Sequence, residues 1–358
     1  MVLKPAVASM SLGRAWLHKL PNKLDQAASQ HFQGVEIFYE DLEYFARELA
    51  SSSSGTSADP TASATQSSSV SPPPSPSQLL EAATTIRQLC QDRSLTIIGM
   101  QPFLHYEGLI DRQEHASRIE KLKLWFRIAH SLGTDVIQIP SNFLQDGITG
   151  DRDVLVQDLV EVADMGLQER PVIRFAYENL CWGTHVDTWE KAWDLVRQVD
   201  RPNFGICLDT FNIAGSVWAD PAAVTGKTAD ADTALAATLA KLRKDIDVTK
   251  VFYVQVVDAE RMRTPLVQGH AFYAPDQPAR MSWSRNARLF AFEEGGYLPV
   301  LEITRTILQD LRYQGWVSME LFSQSMADPD PLVPETHARR AAEAWEKLGR
   351  EIATWGVE

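Results

Sequence analysis

Short apolar runs and longer segments of helical periodicity alternate along the chain. Eight runs rich in Val, Ile and Phe are typical of strands that are covered on both faces. Between Asp111 and Leu132 apolar residues recur at steps of three and four, which favours a helix that Gly133 terminates. Eight repeats of strand and helix predict a (β/α)8 TIM barrel of the α/β class. The predicted strands are residues 6–10, 35–39, 96–100, 135–140, 172–178, 204–209, 251–257 and 316–321.

Two segments depart from this alternation. Residues 51–77 consist almost entirely of Ser, Thr, Pro, Ala and similar small residues, so they predict a disordered insertion after the second strand. Residues 258–298 follow the seventh strand and carry many arginines and aromatic residues. Because barrel active sites lie at the carboxyl ends of the strands, this second segment is predicted to form an irregular loop that covers the substrate like a lid.

Composition narrows the class of protein. The 358 residues, 44% of them hydrophobic, suit a single barrel domain over residues 1–358 that carries the insertion at 51–77. A net charge of −13 argues against binding to nucleic acid, and no apolar run has the length of a membrane span. Cys90, Cys181 and Cys207 are widely spaced, which indicates reduced core thiols and a cytoplasmic protein.

Four polar residues stand at the ends of four successive strands: Glu178, Asp209, Gln255 and Glu320. A buried carboxylate at the end of an apolar strand is costly unless a cation shares the site. Since the strand ends of a barrel surround one opening, these oxygens are predicted to meet around a hard divalent metal, namely Mg²⁺, Mn²⁺ or Co²⁺. Each alone could instead cap a helix or form a salt bridge, but four matching positions favour a shared ion.

The chain contains the phrases SMSLG, GVEIFYEDL, MQPFLHYEGLIDR, YENLCWG, GICLDTFNIAG, YVQVVDAER, RMSWSRNARLFAFE, GGYLPV and GWVSMELF. Together these phrases resemble the fungal 3-dehydroshikimate dehydratases of quinate and shikimate catabolism. These enzymes belong to the sugar phosphate isomerase/epimerase-like, or xylose isomerase-like, barrels. The resemblance implies a hydro-lyase that converts the anionic substrate 3-dehydroshikimate to protocatechuate and water, with metal ligands at the four strand ends.

At three positions this sequence differs from the sugar epimerases and other relatives of the wider superfamily, and these differences bear on the predicted function. Its sugar epimerases place a second catalytic Glu six residues after the first metal Glu, where this chain has Thr184. They usually have His where Gln255 stands, and relatives often have His where this chain has Asn212. A sugar or sugar-acid isomerase/epimerase on the same barrel therefore remains the alternative function, but the sequence supports it poorly.

Dehydration also requires a proton acceptor, a proton donor and a cation for the substrate carboxylate. His105, beyond the third strand, is the leading acid/base candidate because its pKa ordinarily lies near neutrality. Glu36 is a lone carboxylate within an apolar strand, and we expect it to face inward as a base or hydrogen-bond partner. The resemblance implies a substrate contact for Arg261, which matches a substrate-binding Arg of the epimerases. The remaining predicted substrate contacts are Arg112, Asn212, Arg280 and Arg285.

Two further classes stay open at this stage. An endonuclease-type barrel with several metals would need more His and a basic groove than the charge of −13 allows. A barrel used only for protein interaction would not need a metal at its strand ends. The sequence does not decide the oligomeric state, and a homo-oligomer is compatible with it.

Overall fold

Eight parallel strands close into a barrel in this computed structural model, which describes residues 3–53 and 72–355. The ring runs from β1 through β7 to β9, and β9 pairs with both β7 and β1 to close it. A ninth short strand, β8, pairs antiparallel with the end of β7. The strands are β1 Leu3–Ala8, β2 Gly34–Phe38, β3 Thr96–Gln101, β4 Val136–Pro140, β5 Arg174–Glu178, β6 Phe204–Asp209, β7 Val251–Ala259, β8 Arg288–Phe290 and β9 Gly315–Met319.

The described helices surround this barrel, and the helix predicted between Asp111 and Gly133 is confirmed at residues 112–132. The Asp111 side chain accepts hydrogen bonds from the first-turn amides of α4, and Gly133 ends that helix at a φ of 78°. Asp151 and Thr188 cap α5 and α6 in the same way. The helices are α1 Leu20–Ser29, α2 Tyr39–Ser53, α3 Pro76–Asp92, α4 Arg112–Leu132, α5 Arg152–Gln168, α6 Trp189–Val199, α7 Thr210–Val217, α8 Ala231–Asp245, α9 Ala279–Ala287, α10 Val300–Arg305 and α11 Val333–Thr354.

The barrel prediction is confirmed, while the two departing segments need finer description. The predicted insertion at 51–77 has helical edges, since α2 extends to Ser53 and α3 begins at Pro76. Residues 54–71 of that segment lie outside the described residues. The segment predicted as an irregular loop, 258–298, contains α9 and β8. The antiparallel pairing of β8 with the end of β7 holds this segment beside the barrel opening. The region is therefore partly regular.

Apolar residues form two separate layers. The larger layer lies between the strands and the helices and includes the fully buried rings of Trp125 and Trp189. The smaller layer fills the inside of the barrel. The three cysteines are free and buried, as predicted. In residues 3–53 and 72–355 no helix combines the length and apolarity that a bilayer span requires. The inner layer consists of Ala6, Ile98, Val136, Ala176, Cys207 and Tyr253.

Candidate active site

The inner apolar layer determines where the polar strand ends point. Residues two apart on a strand share a face, so each strand that contributes to this layer turns its residue two positions later to the same side. Ala176 is followed by Glu178, Cys207 by Asp209, and Tyr253 by Gln255. Strand pairing places Asp209 next to Gln255 and Gln255 next to Ser318. The predicted strand-end residues therefore form one polar layer directly above an apolar floor.

A cavity of about 530 Å³ opens over this polar layer. Glu178 and Glu320 line it directly, whereas Asp209 and Gln255 do not. Asp209 and Gln255 instead connect to the cavity-lining residues through hydrogen bonds. Asp209 Oδ2 lies 3.0 Å from Nη1 of Arg288, which also lines the cavity, and Gln255 Nε2 lies 2.9 Å from Glu320 Oε1. The structure thus brings the four predicted metal ligands into one connected network at the barrel opening.

Arg288 is the main site residue that sequence reasoning missed. Its side chain is only 2% exposed, and Nη1 donates to both Asp209 Oδ2 and Glu320 Oε2, the latter at 2.7 Å. The rings of Phe211 and Phe322 lie against the guanidinium. Burial alone would lower the pKa of Arg288, but the neighbouring carboxylates raise it by more, so the net pKa is raised. A buried guanidinium held in this way is a permanent positive charge within the carboxylate layer.

Further amide and hydroxyl groups orient the carboxylates. Gln138 Nε2 donates to Glu178 Oε2 at 2.7 Å, and Asn212 Nδ2 donates to Glu178 Oε1 at 2.9 Å. Glu36 accepts hydrogen bonds from Ser318, Gln101 and Gln255. Glu36 is thus buried inside the barrel, as predicted, but it does not line the cavity. Asn212 likewise contacts Glu178 rather than the cavity. These contacts hold the metal-ligand candidates in place.

If fully ionised, the carboxylates of this layer would carry more negative charge than the protein's own cations balance. Burial raises the pKa of Glu36 to about 7 and that of Glu320 to about 8, with Arg288 opposing the rise at Glu320. Burial and the neighbouring carboxylates also raise the pKa of Glu178, and burial raises that of Asp209. Arg288 is the single cation hydrogen-bonded to this carboxylate set among the described residues. A divalent cation would compensate the remaining charge, so the donor set fits a hard metal ion.

Two details of the geometry qualify this fit. Gln255 turns its N–H groups toward Glu36 and Glu320, and its oxygen faces the Cys207 thiol 3.5 Å away. Ligation of a cation through that oxygen requires the opposite orientation of the amide. In addition, Arg288 Nη1 lies between Asp209 and Glu320, so the carboxylate oxygens are not drawn into one tight cluster. Binding of a metal by all four residues therefore requires Arg288 Nη1 to move from between Asp209 and Glu320 and the Gln255 amide to rotate.

His105 has a defined protonation pattern. Asn142 Nδ2 donates to the Glu107 carbonyl and Asn142 Oδ1 accepts from the Leu144 amide, so the orientation of the Asn142 side chain is fixed. The same Oδ1 faces His105 Nδ1 at 3.2 Å, and two acceptors cannot share that contact. Nδ1 therefore carries the proton, which leaves the lone pair of a neutral ring on Nε2. Burial lowers the pKa of His105, so the ring is neutral at pH 7. The His105 ring does not line the cavity itself, but it packs against Phe143, which does.

Glu107 supports this arrangement from a buried position. Its Oε1 accepts hydrogen bonds from the Asn142 amide and from the Tyr177 hydroxyl. Its Oε2 has no hydrogen-bond partner within the described structure, and burial raises the pKa of Glu107 from 4.5 to about 7. Since the folded-state pKa exceeds the unfolded one, Glu107 ionises in the unfolded chain while it stays protonated in the fold. Its contribution to stability is therefore complete below pH 4.5 and is lost as the pH rises to about 7.

We expect Glu107→Gln to remove this pH dependence. The amide keeps an acceptor for Asn142 and Tyr177 and cannot ionise. The free energy of unfolding of the variant, minus that of the wild type, should therefore increase by roughly 3 kcal/mol between pH 4.5 and pH 8. Urea unfolding at both pH values, in the presence of a chelator, measures the difference. A difference that stays constant with pH would show that Glu107 is not a strained buried acid.

Three predicted substrate contacts lie away from the cavity. Arg261 is exposed and donates to the Val224 carbonyl, and Arg280 donates to the carbonyls of Gly215 and Ala219. Arg112 pairs with Asp158 at 2.7 Å. The structure does not bring any of these three to the cavity lining, because loop carbonyls and Asp158 already satisfy their guanidinium groups. Arg285, on α9, does line the cavity.

Asp158 also belongs to a second cluster of potential metal ligands. The ligand atoms of His115, Asp158 and Glu161 all lie within 4.8 Å of one another. No other group of three His, Cys, Asp or Glu residues in the described part of the chain is so closely spaced. However, the Asp158 oxygens already accept from Arg112 and from the Gly108 amide. His115 donates to or accepts from Glu161 at 2.7 Å. The cluster does not line the cavity, so it lies outside the candidate active site.

Comparison with known proteins supports the fold and the resemblance. A 3-dehydroshikimate dehydratase of Neurospora crassa is 49% identical over 98% of this chain and 95% of its own length. A solved xylose isomerase-like TIM barrel/4-hydroxyphenylpyruvate dioxygenase fusion protein has a TM-score of 0.69 at 25% identity, over 98% of this chain and 43% of the fusion. The solved IOLI protein, which has a bound zinc atom, has a TM-score of 0.65 at 16% identity, over 96% of this chain and 97% of its own.

These comparisons agree with one another. The resemblance to the fungal 3-dehydroshikimate dehydratases is confirmed by the similarity to the Neurospora crassa protein, which extends over nearly the full length of both chains. The IOLI protein, which shares this fold, has a bound zinc atom. The family model of the xylose isomerase-like TIM barrel matches residues 24–348. The chain belongs to the xylose isomerase-like TIM barrel family.

Proposed function

We propose that this protein is a metal-dependent 3-dehydroshikimate dehydratase, which removes water from 3-dehydroshikimate and releases protocatechuate. The observation that carries this proposal is the 49% identity with the Neurospora crassa 3-dehydroshikimate dehydratase along nearly the whole of both chains. The cavity is chemically suited to that reaction. It combines carboxylates that fit a hard cation with positive side chains that fit an anionic substrate.

Glu178, Asp209, Gln255 and Glu320 would hold the cation. When bound, the cation would withdraw electron density from the substrate ketone and so ease loss of the neighbouring proton. Mg²⁺, Mn²⁺ and Co²⁺ all suit a set of three carboxylates and one amide oxygen. The buried contacts of Gln138 and Asn212 with Glu178 keep that carboxylate fixed before substrate arrives.

Elimination of water needs one acceptor for a carbon-bound proton and one donor for the departing hydroxyl. Neutral His105 offers Nε2 as the acceptor, because Nδ1 already carries a proton that faces Asn142. Once protonated, the same ring can donate that proton to the hydroxyl, so water leaves and the ring returns to its neutral form. We assign the acid and base roles to His105 on this basis. Glu36, which contacts Gln255 and not the cavity, orients the ligand set.

Aromatic residues limit the access of water to the reacting atoms. Phe38, Phe143, Trp182 and Phe322 form apolar walls of the cavity, and Phe38 and Phe322 meet edge to face with ring centroids 5.9 Å apart. An apolar wall strengthens the electrostatic interactions at the polar floor. The flat product, a benzene ring with polar substituents, matches such a cavity in shape and polarity.

The cellular setting is part of the same proposal. A dehydratase acting on 3-dehydroshikimate directs quinate and shikimate into aromatic acid catabolism. Three free buried thiols suit a reducing compartment, so we place the enzyme in the cytoplasm. We treat residues 1–358 as one catalytic domain and the 51–77 segment as an insertion in it. The described cavity takes no residue from 51–53 or 72–77.

An ultraviolet assay tests the proposed activity directly. Purified full-length protein is freed of metal with a chelator, dialysed, and given 3-dehydroshikimate with or without Mg²⁺, Mn²⁺ or Co²⁺. Protocatechuate absorbance should appear only after a metal is restored. Ketose substrates, assayed in parallel, should show no epimerised product. Conversion of ketoses without any protocatechuate would establish the sugar epimerase alternative in place of the dehydratase.

A further inference from the structure

Four cationic side chains line the cavity: Arg14, Lys121, Arg285 and Arg288. Two of them already have partners. Arg288 donates to Asp209 and Glu320, and it is buried among them. The Lys121 ammonium lies 5.5 to 5.9 Å from the ring centroids of Tyr39, Phe103 and Trp125, whose faces stabilise its charge. Arg288 is thus paired with two carboxylates and Lys121 is surrounded by three ring faces, whereas Arg14 contacts one ring, that of Trp16.

Arg14 and Arg285 lack a carboxylate partner within 4.0 Å in the described structure. The polar contact of the Arg14 guanidinium is a long one to the Met10 sulfur, and its ring contact is with Trp16. Of the acidic groups that act on Arg14, Asp41 is bonded to Lys23 and Ser9, and Glu40 stays beyond ion-pair distance. Arg285 is open to solvent through the cavity that it lines.

The two guanidinium groups also act on each other. Burial and then the charge of Arg14 lower the pKa of Arg285, and Asp276 only partly offsets them. Burial lowers the pKa of Arg14 as well. Two like charges that share a concave, partly desolvated surface repel each other, and an anion placed between them relieves that repulsion. A carboxylate suits such a place because each guanidinium offers paired N–H donors.

Their places in the barrel complement the carboxylate layer. Arg14 follows β1 and Arg285 follows β7, and these two strands flank β9 in the ring. Glu178 ends β5, which lies four strands from β1 in a ring of eight and hence directly across the opening. A substrate with a carboxylate at one end and a ketone at the other could therefore span the cavity between the two sides.

We propose that Arg14 and Arg285 together bind the substrate carboxylate and so select an anionic cyclic hydroxy-ketone over a neutral sugar. This inference rests on the proposed function for the identity of the substrate, but the carboxylate site itself does not depend on turnover. The pair orients the ring so that its ketone points across the opening toward Glu178. It also explains why this barrel need not use Arg112, Arg261 or Arg280 for that purpose.

Binding of two related ligands tests the pair without any chemical step. Protocatechuate and catechol differ only in the carboxylate, and their affinities for the full-length, Mn²⁺-loaded protein can be measured by calorimetry. Arg14→Met and Arg285→Met should each weaken protocatechuate binding by about tenfold or more, since a charge-assisted hydrogen bond is lost. Catechol binding should stay nearly the same. Arg285→Lys, which keeps the charge, should recover part of the loss.

Arg263→Met provides the matched control, because Arg263 is an exposed arginine of the same segment that does not line the cavity. It should leave both affinities unchanged. Equal losses for protocatechuate and catechol, or wild-type affinities in both variants, would overturn the inference. A selective loss in Lys121→Met alone would also overturn it, by moving the site to Lys121. A selective loss in the arginine variants without any turnover of 3-dehydroshikimate would leave the carboxylate site standing and reject the dehydratase.

Discussion

Glu320→Gln is expected to reduce kcat/KM for 3-dehydroshikimate by at least about a thousandfold. The substitution keeps the size of the side chain but removes one of the carboxylates that would hold the cation. Glu320 lines the cavity and is 3% exposed, so solvent cannot replace its charge. The new amide also presents N–H groups either to Arg288 or to the Gln101 and Gln255 amides, all of which donated to the carboxylate. Affinity for the metal should fall together with activity.

Two measurements separate this outcome from misfolding. The thermal unfolding midpoint of Glu320→Gln in chelator should stay close to that of the wild type, because loss of a crowded buried charge offsets the lost contact with Arg288. Calorimetry with Mn²⁺ should show weakened binding. Glu302→Gln, at an exposed position of α10, is the matched control and should keep full activity. Near-normal turnover in Glu320→Gln with unchanged metal dependence would contradict the ligand assignment.

Arg288→Met should destabilise the metal-free protein by about 3–5 kcal/mol, because it removes the one buried cation from the carboxylate layer. Asp209 and Glu320 would then face each other without a counter-charge. A divalent cation should stabilise this variant more than it stabilises the wild type, since the metal alone would balance the carboxylates. Denaturant unfolding with and without Mn²⁺ measures both effects.

A second substitution checks that charge is the cause. Asp209→Asn combined with Arg288→Met removes one of the uncompensated carboxylates, so the double variant should be more stable without metal than Arg288→Met alone. Arg263→Met again serves as a control for the loss of an exposed arginine, and it should change stability very little. If the double variant were less stable than the single one by the full additive amount, packing rather than charge would explain the role of Arg288.

The barrel and its polar layer were accessible from the sequence for a physical reason. Strands that are buried on both faces appear as apolar runs, and a polar residue at the end of such a run is conspicuous. Glu178, Asp209, Gln255 and Glu320 share that signal, and period-two alternation turns them to one side. The same signal marks Gln138 in the run DVIQIP and Gln101 in TIIGMQ, which the sequence analysis passed over. Both hold carboxylates of the layer.

The loop residues were harder to predict. Side chains on loops are positioned by tertiary contacts that leave no periodic pattern, so the choice among many arginines had no local basis. Arg112 is held by Asp158, and Arg280 by loop carbonyls, which only the fold reveals. Arg288 reaches the carboxylates because α9 and β8 interrupt a segment predicted to be irregular. The proton position on His105 likewise depends on Asn142, a residue 37 positions away.

The most direct test of the account is the location of a bound metal. Crystals of the full-length protein grown with Mn²⁺ would show it by anomalous diffraction. The account predicts one strong peak within coordination distance of Glu178, Asp209 and Glu320, with the Gln255 amide turned so that its oxygen completes the set. A peak at His115, Asp158 and Glu161, or no peak at the barrel opening, would contradict it.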